Sequence, residues 1–368
     1  MMINQQPIIW IFKGDKYGDF LQMENVAKAL GFNYLVKDMP LQQGTIIRKN
    51  KVKKYTYLSD IDKILTPPWP NLVLASGRHG AIAALATKEK AKNCKLVHIG
   101  RPWCDTSKFD LIITTPQYGL TKAKNIIVNP VTLNKTQKEK IDQSCFEWQN
   151  KIGIPPPYLA VLLGGNSYPF MFTIAKAQEL ANIVNKIAFE HKLTPLITTS
   201  RRTPPFVKEI FAKALNGNYM FHEWKANTAN PYHTFLRFAK MILVTNDSAS
   251  MISDACYTQK KVLCFELQKE TSFKLAFKEF VHLLYCETPN KLLTFVLNYL
   301  FLYKKITLSG TYLLRNMTFF VRNLERYNFI TTVNMKNFKE KTTSFPVTHN
   351  NFDTYFENTI LEVKKLLQ

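Results

Sequence analysis

The sequence predicts an α/β protein made of two similar halves, and three observations carry that expectation. Short β-branched runs alternate with amphipathic stretches, the pattern of parallel strands covered by helices. The alternation stops at Gly153-Ile154-Pro155-Pro156-Pro157 and then restarts. Consecutive prolines cannot continue a helix and they stiffen a connection. Finally, 368 residues with 46% hydrophobic side chains are enough material for two cores.

In the first half, Ile8–Lys13 reads as a strand and Phe20–Leu30 as the helix after it. Leu72–Ala75 is a further strand, followed by an alanine-rich helix over about 80–91. Strands are expected at Lys95–Ile99, Leu111–Thr114 and Ile126–Val128, and a polar helix at Lys135–Gln149. After the prolines the expected order is strand Leu159–Leu163, helix Phe172–Phe189, strand Leu196–Thr199 and helix Pro204–Leu215. Three strands follow, at Tyr219–His222, Met241–Val244 and Val262–Phe265. Leu292–Tyr303 is rich in Leu, Phe and Tyr and ends in Lys304-Lys305. It reads either as a core-packed helix or as an amphipathic contact with a membrane surface. Residues 306–350 show little periodicity, and Phe352–Leu367 forms one amphipathic helix. The expected division is 1–152, 153–305 and a helical extension over 306–368. The two halves should face a ligand cleft at the carboxyl ends of their strands.

Charge narrows the partners. There are 49 Lys and Arg against 27 Asp and Glu, a net charge of +22 distributed along the chain. Such a surface favours phosphorylated substrates or anionic lipid head groups. Nucleic acid ranks last, because no binding motif accompanies the charge. The densest basic run, Arg48–Lys54, reads as a solvated loop or hairpin. Six cysteines lack C-x-x-C or metal-finger spacing and suit reduced core positions of a cytoplasmic protein. No apolar run reaches membrane-spanning length, and no leader with a cleavage site is recognisable.

The chemistry gathers in loops directly after predicted strands. Val244-Thr245-Asn246-Asp247-Ser248-Ala249-Ser250 leaves a strand and enters a helix, with Asp254 further along that helix. Free N–H groups and hydroxyls at a helix start seat phosphate. A carboxylate along the same helix is placed for sugar hydroxyls, so the run suggests a nucleotide or nucleotide-sugar site. Its plainer reading is a helix cap by Asp247 or Ser248. Gly164-Gly165-Asn166-Ser167 lacks Cβ atoms where backbone would approach a ligand. Thr199-Ser200-Arg201-Arg202-Thr203-Pro204 puts two guanidinium forks at an expected helix start beside hydroxyls, which suits a diphosphate; a surface ion pair or lid contact is the alternative. Gly14–Asp19 has neither a dinucleotide fingerprint nor a P-loop ending, so ATPase and dehydrogenase chemistry are not supported. Ser76-Gly77-Arg78-His79-Gly80 is a tight turn with a cation and an imidazole, and His98 reads as core. H-E-x-x-H, G-x-S-x-G and Asp-x-Asp signatures are absent.

Taken together and in order, several segments resemble the family named after the plant "elongated mitochondria" fission protein. They are Pro68-Trp69-Pro70 with Ala75–Arg78, Ile99–Pro102 with Phe109-Asp110-Leu111, and Gly164-Gly165. Thr199–Pro204, Asn230-Pro231-Tyr232 and Thr245–Ala255 complete the set. Bacterial members of that family are described as glycosyltransferases or as nucleoside-diphosphate-sugar epimerases. The resemblance implies a GT-B-type fold, two Rossmann-like domains with the donor nucleotide held mainly by the second. It points Ser248 and Ser250 at the donor phosphates and Asp254, where relatives carry Glu, at ribose or sugar hydroxyls. Two departures stand out: Gly18-Asp19 in place of a Gly-His pair, and Gly165-Asn166-Ser167 in place of Gly-Pro-Ser.

The expected activity is transfer of a sugar from a nucleoside diphosphate to a lipid-linked or lipopolysaccharide-type saccharide acceptor at the inner face of a membrane. Gly164, Gly165, Ser200, Arg201, Arg202, Thr203, Asp247, Ser248, Ser250 and Asp254 form the donor site. Positive charge there stabilises the leaving diphosphate without a metal or other cofactor. Asp19 is the candidate general base, or merely a cap of the first helix, with His79 and Asp15 as the next candidates. The rival expectations are a sugar-nucleotide epimerase and a non-catalytic membrane-associated adaptor.

Overall fold

The computed structural model describes residues 6–40, 60–120, 122–135, 138–273, 275–277, 279, 315–343 and 351–368. The basic run 48–54 and the segment 292–305 lie outside these residues. The described chain divides into two compact units.

The first unit is built on a parallel sheet of β1 (Ile9–Lys13), β2 (Tyr34–Asp38), β3 (Leu72–Ser76), β4 (Lys95–Ile99), β5 (Leu111–Thr114) and β6 (Ile126–Val128), in the order β2-β1-β3-β4-β5-β6. Alternation along each strand splits its side chains between two dry faces. Ile9, Ile11, Leu72, Leu74, Val97 and Ile99 pack on one side with Met23, Val26 and Leu30 of α1 (Tyr17–Leu30). Trp10, Phe12, Val73, Ala75, Leu96 and Ile112 pack on the other with Ala81, Ala83 and Ala84 of α2 (Gly77–Lys90). Burial of both faces explains why these strands read as unbroken apolar runs. β2 was not expected; it lies at the sheet edge with most of its side chains partly or fully exposed, so no apolar run marks it.

The second unit carries β7 (Tyr158–Leu162), β9 (Thr194–Thr198), β10 (Met220–His222), β11 (Ala239–Thr245), β12 (Lys261–Phe265) and β14 (Thr331–Val333). Their parallel order is β10-β9-β7-β11-β12-β14. Counted within the unit this is 3-2-1-4-5-6, the order of a dinucleotide-binding fold. The sheet reverses direction of growth between β7 and β11, which pair from Ala239↔Tyr158 to Val244↔Leu162. A small antiparallel pair, β8 (Phe170–Met171) and β13 (Gln268–Lys269), stands beside it. Among the described residues no helix is long and apolar enough to cross a membrane. The expected pair of Rossmann-like α/β units, the composition of a GT-B-type fold, is therefore present.

The domain edges differ from those expected. Helix α3 (Lys138–Trp148) belongs to the second unit although it precedes the prolines. Its Ser144 hydroxyl lies 2.7 Å from that of Thr234. The tail is not a separate extension either. Residues 317–343 belong to the second unit and supply β14, which pairs with β12 from Leu263↔Thr331 to Phe265↔Val333. The last helix, over Phe352–Lys365, sends Phe356, Ile360 and Val363 into the first core. There Asn129 Nδ2 donates to Thr359 Oγ1 at 2.9 Å. A three-residue edge strand and an amphipathic helix do not reveal their partners through local periodicity.

Candidate functional site

The second unit gathers three loops at the carboxyl ends of β7, β9 and β11, where its strand order reverses. This is where open α/β sheets hold ligands. The loops are tied together by Asp247, whose side chain is fully buried. Its Oδ2 accepts from the Gly165 N–H at 3.0 Å and from Arg202 at 2.8 Å, and its Oδ1 accepts from the Thr245 hydroxyl at 2.7 Å. Thr245 Oγ1 in turn accepts from the Gly164 N–H at 2.8 Å. Burial pushes the Asp247 carboxyl above the usual carboxylate range; Arg202, the Thr245 hydroxyl and the Gly165 N–H pull it back down.

The glycines are explained by this network. A Cβ on Gly164 would lie 2.0 Å from Asp247 Oδ1, and one on Gly165 would lie 2.0 Å from the Arg202 carbonyl oxygen. The room they leave is filled by protein, so their first role is to let three loops close on one another. Thr203 works toward the same end. Its hydroxyl lies against the carbonyl oxygens of Leu163 and Gly164 and accepts from the Ser200 N–H at 2.9 Å.

The surface of this cluster is formed by other side chains. Arg201 is exposed, whereas the Arg202 side chain is only 33% exposed and committed to Asp247. The pair sits in a turn ahead of the helix over Phe206–Ala214 rather than at the helix start itself. Ser248 is the N-cap of the helix over Ala249–Tyr257; its hydroxyl accepts from the Met251 N–H at 3.4 Å. Ser248, Ser250 and Asp254 are half-buried, so all three reach solvent. Asp254 Oδ2 accepts from the Tyr232 hydroxyl at 2.8 Å.

Asp19 stands in a separate pocket of the first unit. The pocket is lined by Ser76, Gly100, Thr115, Tyr118 and Asn129 as well as Asp19, at the carboxyl ends of that sheet. Helix α1 has Lys16 at its N-cap and no side-chain cap. The Asp19 carboxylate is instead hydrogen-bonded to the Ser76 side chain. Burial raises its pKa, against the lowering effect of Lys16, Arg315 and that hydrogen bond; Asp15 adds a smaller upward push. His79 lies in the first turn of α2, and burial lowers its pKa. His98 is fully buried between the carbonyl oxygens of Gly77 and Gly100, at 3.1 and 3.2 Å, with its pKa lowered to about 4. It is the core residue it was expected to be. The five described cysteines are all free.

Residues 18–287 match the family described as Mitochondrial fission ELM1. The chain belongs to this family. It is 27% identical over 302 residues to the uncharacterized protein RP120 of Rickettsia prowazekii (strain Madrid E), covering 70% of this chain and 82% of that protein. It is 25% identical over 218 residues to the mitochondrial fission protein ELM1 of Arabidopsis thaliana, covering 52% of this chain; the match spans about half (51%) of the plant protein. Among solved structures it is similar to a UDP-GlcNAc 2-epimerase from Methanocaldococcus jannaschii, at 12% identity and a TM-score of 0.47, covering 97% of this chain and 99% of that one. The ELM1-family segment contains every candidate residue from Asp19 to Asp254.

Within that segment hydrogen bonds tie Gly164, Gly165, Ser200, Arg202, Thr203 and Asp247 into one cluster, Arg201 adjoins it in the same turn, and Ser248, Ser250 and Asp254 follow on from Asp247. Sequence reasoning placed Asp247 and Arg202 on the ligand; the structure makes them an internal tie. It gave no role to the side chains of Thr245 and Ser76. A threonine two residues before a buried aspartate carries no distinctive signal, and Ser76 meets Asp19 only because β1 and β3 are neighbours in the sheet.

Proposed function

We propose that this ELM1-family protein is a glycosyltransferase that takes its sugar from a nucleoside diphosphate. The observation that carries the proposal is the loop cluster at the strand-order reversal of the second unit. An internal tie through Asp247 holds the Ser248–Ser250 helix start, the 164–167 loop and the 200–203 turn together. Such a preorganised start offers N–H groups and hydroxyls to a diphosphate at no reorganisation cost. Arg201, exposed beside it, adds a mobile positive charge for the leaving group. Asp254 supplies a carboxylate for ribose or sugar hydroxyls. In this proposal no metal is needed, because the guanidinium and the helix dipole neutralise the departing phosphate charge.

Asp19 is the proposed general base for the acceptor hydroxyl. A carboxylate with a raised pKa is a stronger base once ionised. The Ser76 hydrogen bond would orient it. The acceptor is proposed to be a lipid-linked or lipopolysaccharide-type saccharide, handled by a cytoplasmic protein resting on an anionic membrane face. The +22 charge supports that part of the proposal.

The test is a thermal-shift screen against nucleoside diphosphates and their sugars, followed by product analysis. A ligand at 100 times its Kd should stabilise the protein by about 2.7 kcal/mol. Turnover of a sugar nucleotide without an acceptor would replace the proposal with an epimerase. Absence of any shift would replace it with a non-catalytic adaptor.

A further inference from the structure

The segment Asn230-Pro231-Tyr232, singled out in the sequence, has no role in the donor site as described. Its geometry is specific. The Tyr232 N–H donates to Asn230 Oδ1 at 2.9 Å, and the Phe235 N–H donates to the Pro231 carbonyl at 2.8 Å. These bonds start the short helix over Tyr232–Phe238. The Tyr232 ring is half-buried and meets His233 edge-on at 5.2 Å. Its hydroxyl donates to Asp254 Oδ2 at 2.8 Å. Helix 232–238 runs into β11, and β11 runs into the helix that carries Asp254. The phenol therefore bridges the helices on either side of the central strand, and it does so on the carboxylate.

From this the geometry points to Tyr232 as a positioning residue that sets the orientation of the Asp254 carboxylate for ligand hydroxyls. The inference rests on the proposed nucleotide-sugar reading. An aspartate carboxylate turns about χ2. A hydrogen bond from a rigid ring to one oxygen removes that freedom. A phenol suits the task because burial and the neighbouring carboxylate hold its pKa well above the ordinary range. It remains a donor at any working pH.

The experiment is calorimetry with UDP-GlcNAc, ADP-glucose, GDP-mannose and inorganic pyrophosphate on the wild type, Tyr232→Phe, Asp254→Asn and the double variant. Tyr232→Phe keeps the ring and deletes only the donor. Affinity for whichever sugar nucleotide binds the wild type should fall roughly five-fold, the size of one modest hydrogen bond. Pyrophosphate lacks the hydroxyls and should bind unchanged. The double variant should bind no more weakly than Asp254→Asn alone, because the tyrosine acts through the aspartate. Wild-type affinity in Tyr232→Phe overturns the inference, as does an equal loss for pyrophosphate or an additive double variant. A wild type that binds none of the three sugar nucleotides overturns the nucleotide-sugar reading itself, and this inference with it.

Discussion

Replacing Arg202 with methionine should damage the fold of the second unit before it damages binding. The methionine keeps much of the aliphatic stem and removes the guanidinium, leaving a fully buried Asp247 carboxylate with only uncharged donors. Breaking a buried pair typically costs about 3–5 kcal/mol. Arg202 is 33% exposed, and solvent screening lowers that figure. The Gly165 N–H and the Thr245 hydroxyl also remain. A loss of about 2–3 kcal/mol is therefore expected, or roughly 4–12 °C in Tm for a unit of this size. The pH dependence has a defined sign. The folded-state pKa of Asp247 is raised above its unfolded value, so its charge weighs against the fold above that pKa and the penalty disappears as pH falls. Removing Arg202 raises the pKa further. The deficit should thus be larger at pH 8 than at pH 5 in urea titrations. Adding Asp247→Asn, which removes the stranded charge, should recover part of it. A deficit that is the same at both pH values and unmoved by Asp247→Asn would refute the internal tie.

Arg201→Ala should leave stability within about 0.5 kcal/mol, as an exposed substitution does, while weakening diphosphate binding in calorimetry by about 1.5–3 kcal/mol. Gly165→Ala should cost at least about 2 kcal/mol in melting experiments, since its Cβ would meet the Arg202 carbonyl oxygen at 2.0 Å. Ser248→Ala should lower stability by about 1 kcal/mol through the lost cap, and a drop in diphosphate affinity measured alongside would mark the same hydroxyl as a ligand contact. Asp19→Asn should slow single-turnover sugar transfer by about 10²–10⁴-fold with donor affinity unchanged. In the unmutated protein the rate should rise with pH through a pKa above the ordinary carboxylate range, because the base acts only when ionised.

By itself the sequence determined the two-unit α/β class, most of the strands and the loops that hold the candidate site. Strands buried on both faces must be apolar throughout, and the turns after them must be polar, so both leave a local trace. Val244–Ser250 could be read as strand, turn and helix start for that reason. What the sequence could not settle was partnership. Whether Asp247 meets a ligand or an arginine 45 positions away depends on β7, β9 and β11 lying side by side. Helix 138–148 is polar and the last helix amphipathic, and neither pattern names the unit it joins, so their assignment came only from packing. Asp19 offered a choice between helix cap and base. The tertiary structure supplied its Ser76 partner, because only the folded chain decides which oxygen finds which proton.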